Sequence, residues 1–124
     1  MMIRDKPFAP LADGYVQICA VTNVAAEGDR PREGLRMIVS LPFDYKTVGY
    51  GRYWEAQQAD VKISAVISVP YRPEVSTQEI AVIGATQYRI RQVQRVLDTR
   101  PETLKLSLER VVQNYEYELE NSGV

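Results

Sequence analysis

Five apolar residues at every second position, Leu35, Met37, Val39, Leu41 and Phe43, alternate with Arg36, Ile38, Ser40 and Pro42. Strand side chains point alternately to opposite faces, so this period of two suits a half-buried strand and does not suit a helix. The pattern recurs. Val61, Ile63, Ala65, Ile67 and Val69 alternate with Lys62, Ser64, Val66 and Ser68, and the run stops at Pro70. Tyr15 to Val24 is β-leaning, with Val16, Ile18 and Ala20 on one face and Gln17 and Cys19 on the other. Ile80-Ala-Val-Ile83 ends at Gly84, and a second β-rich run opens at Tyr88, which together read as a hairpin around Gly-Ala-Thr-Gln. A chain with this patterning is mainly β.

Composition sets the chemistry such a fold can carry. The 124 residues amount to one domain, and a chain of this size buries roughly two-thirds of the surface its unfolded form exposes. An apolar core therefore suffices without metal or disulfide. There is no histidine, which removes a Ser-His-Asp triad, a Cys-His pair and a histidine-ligated zinc. Cys19 is the single cysteine, so neither an internal disulfide nor a four-cysteine metal site can form. Cys19 reads as a small buried or half-buried apolar residue. No enzyme, no cofactor and no metal site are expected. Fifteen basic and sixteen acidic residues leave a net charge of −1, which gives no whole-molecule attraction to nucleic acid. No apolar run approaches the roughly 20 residues of a membrane span, and the start of the chain carries no signal-like stretch. A soluble protein of a reducing compartment is expected.

The remaining stretches are loops and ends. Residues 1–13, with Pro7 and Pro10, read as an N-terminal arm. Residues 25–34 form a polar loop with two glycines and Pro31. Residues 44–60 combine Tyr45, Tyr50, Tyr53 and Trp54 with Gly49 and Gly51, and read as a glycine-containing loop followed by a short helix from Arg52. The last third is two-faced. Leu104, Leu106 and Leu108 alternate as a strand would, whereas Leu104, Leu108, Val111, Val112, Tyr115 and Leu119 fall at helical spacing behind a capping box at Thr99–Glu102. Pattern alone favours the helix there. The division is an arm (1–13), one β-barrel-like domain (14–113) and an acidic C-terminal tail (114–124).

The order of these pieces resembles a known family. Arg52-Tyr-Trp-Glu-Ala-Gln-Gln58 precedes the Val61–Val69 strand and its Pro-containing turn. Ile80-Ala-Val-Ile-Gly84, then Gln87-Tyr-Arg-Ile90, then Leu104-Lys-Leu-Ser-Leu-Glu-Arg-Val111 follow. Over residues 15–113 the chain is similar to the head–tail adaptor (head-closure, or stopper) proteins of tailed bacteriophages and prophages. That resemblance implies a small antiparallel β-barrel or sandwich with one short helix and long loops, and a strand rather than a helix over Leu104–Val112. It also implies a homo-oligomeric ring in the virion neck, below the portal, that closes the DNA channel after packaging and receives the tail. The partners would be a portal-side adaptor ring and a tail-side neck protein, with assembly in the host cytoplasm and a monomer until a partner ring templates it.

Three groups of residues are candidates for such contacts. Tyr45, Lys46, Gly49, Tyr50, Gly51 and Arg52 make an aromatic, glycine-hinged loop suited to an inter-subunit or channel position, since Tyr, Trp and Arg anchor interfaces. Arg30 and Arg32 flank Pro31 in a loop suited to docking a partner. Arg89, Arg91 and Arg95, with Arg100, are offset only by Asp98 and form a basic patch for packaged DNA or an acidic neighbour. Set against this is a solvated strand face balanced by Glu116, Glu118 and Glu120. The alternative function is a small β-barrel binding module for single-stranded nucleic acid or a protein partner, with aromatics stacking bases and the arginines holding phosphates.

Overall fold

The computed structural model describes residues 11–46 and 63–117. Seven strands account for most of them: β1 (Gly14–Asn23), β2 (Glu33–Lys46), β3 (Ala65–Pro70), β4 (Ile80–Ile83), β5 (Thr86–Val96), β6 (Thr103–Arg110) and β7 (Glu116–Tyr117). No helix occurs among the described residues. The short helix expected from Arg52 lies outside them. The strand order is β1-β4-β5-β6-β3-β2, and β2 pairs with β1 again, so six strands close into a barrel. Every pairing within the ring is antiparallel. Closure removes open sheet edges around the ring, the usual hazard of a β-protein this small.

The length of β2 makes closure possible. Its residues Glu33–Phe43 pair with β1, while Asp44–Lys46 pair with β3 on the other side. A shorter strand would reach only one neighbour. Tyr45 and Lys46 thus belong to β2, not to the loop expected to contain them. β3 starts at Ala65, later than the Val61 expected, and Ile63 and Ser64 lie outside any strand. The β4–β5 hairpin is tighter than expected: Ile83 faces Thr86 across Gly84 and Ala85 alone. Gly84 has φ +61°, left-handed backbone that a two-residue hairpin turn requires and that glycine adopts without strain.

The two-faced segment is a strand. β6 pairs with β5 along one edge and with β3 along the other, so its backbone is satisfied on both sides. Leu104, Leu106 and Leu108 all point into the barrel. Helical spacing, which takes in Leu104 and Leu108, is outcompeted because the period-two face meets a ready core, with Val16, Ile18, Leu41, Phe43, Ile67, Val69 and Ile90 opposite.

Two bulges break the expected alternation. In the β1–β2 pairing, Ile18 faces Val39 but Cys19 faces Met37, which leaves Ile38 as an extra residue on β2. The bulge reverses facing: Val39, Leu41 and Phe43 serve the barrel core, whereas Leu35 joins Cys19, Ile80 and Val82 in a second apolar cluster. The expectation that Leu35 to Phe43 share one buried face is corrected accordingly, and Met37 is 51% exposed. One extra residue moves everything beyond it to the opposite face. A second bulge lies between Ile90 and Gln92 in β5, at Arg91.

The second cluster is covered by residues 111–117, which form a strap after β6. Tyr115 packs against it, and Glu116–Tyr117 pair in parallel with Gly34–Leu35 of β2. Of the segment read as an acidic tail, residues 114–117 thus run along the barrel, and 118–124 lie outside the described residues. Gly34 sits at the crossing. A Cβ there would lie 2.6 Å from both γ-carbons of Val24 and 3.0 Å from the Glu116 carbonyl oxygen. Gly34→Ala is therefore expected to cost about 1–2 kcal/mol, read as a lowered urea midpoint, because the Val24 methyls must turn aside.

Candidate functional site

At one end of the barrel, the last residues of β2 meet the N-terminal arm. Asp13 donates its backbone N–H to the Phe43 carbonyl (2.9 Å), and its carboxylate accepts the Tyr45 N–H (2.8 Å). The Tyr45 ring stands edge-on to Phe43, centroids 4.9 Å apart, which seats a half-exposed tyrosine on a buried phenylalanine. Lys46 Nζ lies 3.5 Å from an Asp44 carboxylate oxygen. Tyr45 and Lys46, the first two residues of the expected channel loop, are thus held at the barrel mouth. Gly49, Tyr50, Gly51 and Arg52 lie outside the described residues.

The Asp13 and Asp44 carboxyls hydrogen-bond one another. The Tyr45 amide, with the Asp44 contact second, holds Asp13 below the ordinary carboxylate range. Asp44 moves upward, chiefly through its hydrogen bond to Asp13. The signs oppose. Asp13, depressed on folding, stabilises above its unfolded pKa and loses that contribution as pH falls through its folded value. Asp44, raised on folding, contributes in full below its unfolded pKa and loses the contribution as pH rises through its folded value. Asp44→Asn keeps a donor to Asp13 without the second charge. It is expected to raise the melting temperature at pH 7 and leave it unchanged at low pH, where Asp44 is already protonated. Melting curves of both chains across pH check this.

The polar loop of residues 24–32 is built on Asn23, whose side-chain oxygen accepts the N–H groups of Ala25 and Arg32, both at 3.0 Å. Val24 N–H closes the loop onto the Arg32 carbonyl at 2.9 Å. Arg32 reaches Glu116 of the strap (3.6 Å), and Arg30 is exposed in the loop. Of the expected docking pair, then, one arginine ties the loop to the strap and the other faces solvent.

The basic residues of β5 do not form one patch. Arg89 stands opposite Glu109 of β6, and Arg91, at the bulge, pairs with the same Glu109 at 3.5 Å. Arg95 faces Leu104, on the other side of the sheet from Arg89, because the bulge shifts the alternation. It pairs with Glu102 at 2.6 Å, and its guanidinium lies 4.2 Å above the Tyr71 ring. The Glu102 hydrogen bond raises the Arg95 pKa further above its already high value. Among the described residues the acids paired with Arg91 and Arg95 are Glu109 and Glu102, and Glu116 pairs with Arg32; Glu118 and Glu120 lie outside the described residues.

Sequence reasoning passed over Gln87, which is 1% exposed. Its carboxamide reads one residue of the strap twice: Nε2 donates to the Tyr115 carbonyl (2.9 Å) and Oε1 accepts the Tyr115 N–H (2.7 Å). Gln87 also accepts the Val111 N–H through its own carbonyl at 2.9 Å. A buried glutamine is a signal only once its burial is known, since a strand outer face is otherwise an ordinary place for one. Beside it runs an open groove lined by Arg32, Arg89, Glu109, Arg110, Tyr115 and Glu116, mixed in charge. Among the described residues, no group of three or more His, Cys, Asp or Glu side chains is gathered as a metal site would need. Burial of Cys19 pushes its thiol pKa upward, away from the reactive thiolate.

Comparison with known proteins adds a likeness of fold. No family model matches the chain, and no curated protein matches it. Among solved structures, a chain of the virion of a native gene transfer agent particle is similar, with a TM-score of 0.50 and 15% identity. The match covers 85% of this chain and 100% of that one. At this identity the likeness is one of architecture.

Proposed function

We propose that this chain is a structural protein of a phage or phage-like virion, and within it a neck component: a head–tail connector. In this role several copies form a ring below the portal, close the DNA channel after packaging and present a platform for the tail. The role is mechanical, with no reaction catalysed. The observation that carries the proposal is the closed barrel's likeness to a full-length chain of the gene transfer agent virion. The strand order through Leu104–Val111, already suggestive of head–tail adaptors in sequence, supports it.

A ring needs heterologous contacts that close around an axis. The mouth of the barrel suits one side of such a contact, with Tyr45 half exposed and Lys46 beside it, just ahead of Gly49, Tyr50, Gly51 and Arg52 in the chain. Arg30 offers a cation on the β1–β2 loop for a neighbour or for DNA. The portal-side adaptor ring and the tail-side neck protein are the partners this reading requires. The nucleic-acid module is less well supported, because Arg91 and Arg95 are tied to Glu109 and Glu102 rather than aligned along one groove.

Deleting the gene from its parent element and imaging the particles tests the proposal. Tailless heads that have lost their DNA place the chain at head closure. Tailless heads that keep their DNA make it a tail-docking layer. Normal infectious particles overturn the neck role.

A further inference from the structure

The outer face of β4 and β5, with the near part of the β1–β2 hairpin, is a built receptor for one extended segment, and in this structure the chain's own strap fills it. The receptor has three parts. Its floor is apolar: Cys19, Leu35, Ile80 and Val82, all buried under the strap. Its reader is Gln87, which engages both backbone groups of a single residue and so recognises an extended chain by its main chain. Its edge is Gly34–Leu35 of β2, which accepts a strand in parallel.

Apart from the two Gln87 hydrogen bonds, the described part of the occupant is fastened lightly. Tyr115 is only partly buried, Glu116 and Tyr117 are exposed, and the Arg32–Glu116 pair is more than half exposed at both ends. An ion pair that open contributes little. The connection back to the barrel is Val112-Gln113-Asn114, all exposed, and Val112 is fully so, an apolar side chain left in water with nothing packed on it. A lightly held segment on an exposed tether, lying over an apolar floor that needs a cover, is the construction from which protomers exchange identical elements.

We propose that the strap exchanges between copies: Tyr115–Tyr117 of one chain seats on the Gln87 receptor of a neighbouring copy. The contacts are the same in either seating, so geometry and concentration decide between them. A tether this short holds its own strap at an effective concentration of about millimolar, so a dilute chain keeps it. Copies held side by side by a common partner reach similar local concentrations, and exchange then joins neighbours without any new surface. This inference concerns two copies of the chain in solution and stands apart from the virion reading.

The test uses two full-length variants. Gln87→Leu disables the receptor and leaves the strap free. Tyr115→Asp disables the strap and leaves the receptor empty; Tyr115→Ser serves in its place should the aspartate unfold the chain. Nitrogen-15-labelled Tyr115→Asp chain is titrated with unlabelled Gln87→Leu chain to about 2 mM, the range set by the tether's effective concentration. Expected are amide shifts at Cys19, Leu35, Ile80, Val82 and Gln87 that grow with the added chain. The double variant, Gln87→Leu with Tyr115→Asp, should give none. No shifts at these positions, or equal shifts from the double variant, overturn the exchange. Neither result bears on the particle phenotype, so failure here is separable from failure of the neck assignment.

Discussion

Leu106→Ala is expected to destabilise the chain by about 2–5 kcal/mol, the range for emptying a fully buried leucine site. Leu106 is 0% exposed at the middle of β6, facing Val93 of β5 on one edge and Ile67 of β3 on the other. All three strands are held by the ring, so the walls cannot close on the void, which pushes the cost toward the upper part of that range. Native domains are stable by about 5–15 kcal/mol, so the loss is a large fraction of the whole. Urea unfolding of the two chains measures it. A loss below about 1 kcal/mol would mean that Leu106 does not sit in a closed barrel core.

Gln87→Leu is expected to cost about 1–3 kcal/mol, the net worth of two hydrogen bonds, and to act on one region. Leucine fills much the same space but leaves the Tyr115 N–H and C=O, and the strap around them, without their partner. A half-buried backbone group left unpaired costs on the order of 1–3 kcal/mol, so the chain relieves two of them by releasing the strap to water. Hydrogen exchange distinguishes this from general loosening. Protection should vanish at Tyr115 and Glu116 and persist in β5 and β6, and Ile80 and Val82 should become accessible to an apolar dye. Uniform loss of protection would contradict the role given to Gln87.

The two variants probe layers of the fold that differ in how plainly the sequence announces them. Leu106 was visible as the middle one of three leucines at alternate positions, although Leu104 and Leu108 also fit a helix and the resemblance to head–tail adaptors tipped the reading to a strand. Gln87 was invisible. It stands between two β-rich runs where polar residues are common, and nothing in its neighbours says that a segment 28 positions later will lie across it. The facing of Arg89 and Arg95 was hidden for a related reason. Spacing along a strand predicts faces only while the pairing stays in step, and the bulge at Arg91 takes it out of step.

The sequence by itself determined the class of fold: alternation in Leu35–Phe43, Val61–Val69 and Leu104–Leu108 is a local property, set by the two-fold geometry of an extended backbone. It equally determined which chemistries are absent, since no fold creates a histidine or a second cysteine. Which core each apolar residue serves was decided only in the tertiary structure. Leu35 and Leu41 carry the same signal, yet one extra residue at Ile38 sends them to opposite sides of the sheet. Barrel closure and the strap belong to that level too. Both depend on pairings between distant segments, β1 with β4 and β2 with β7, whose free energy exists only once the whole ring has formed.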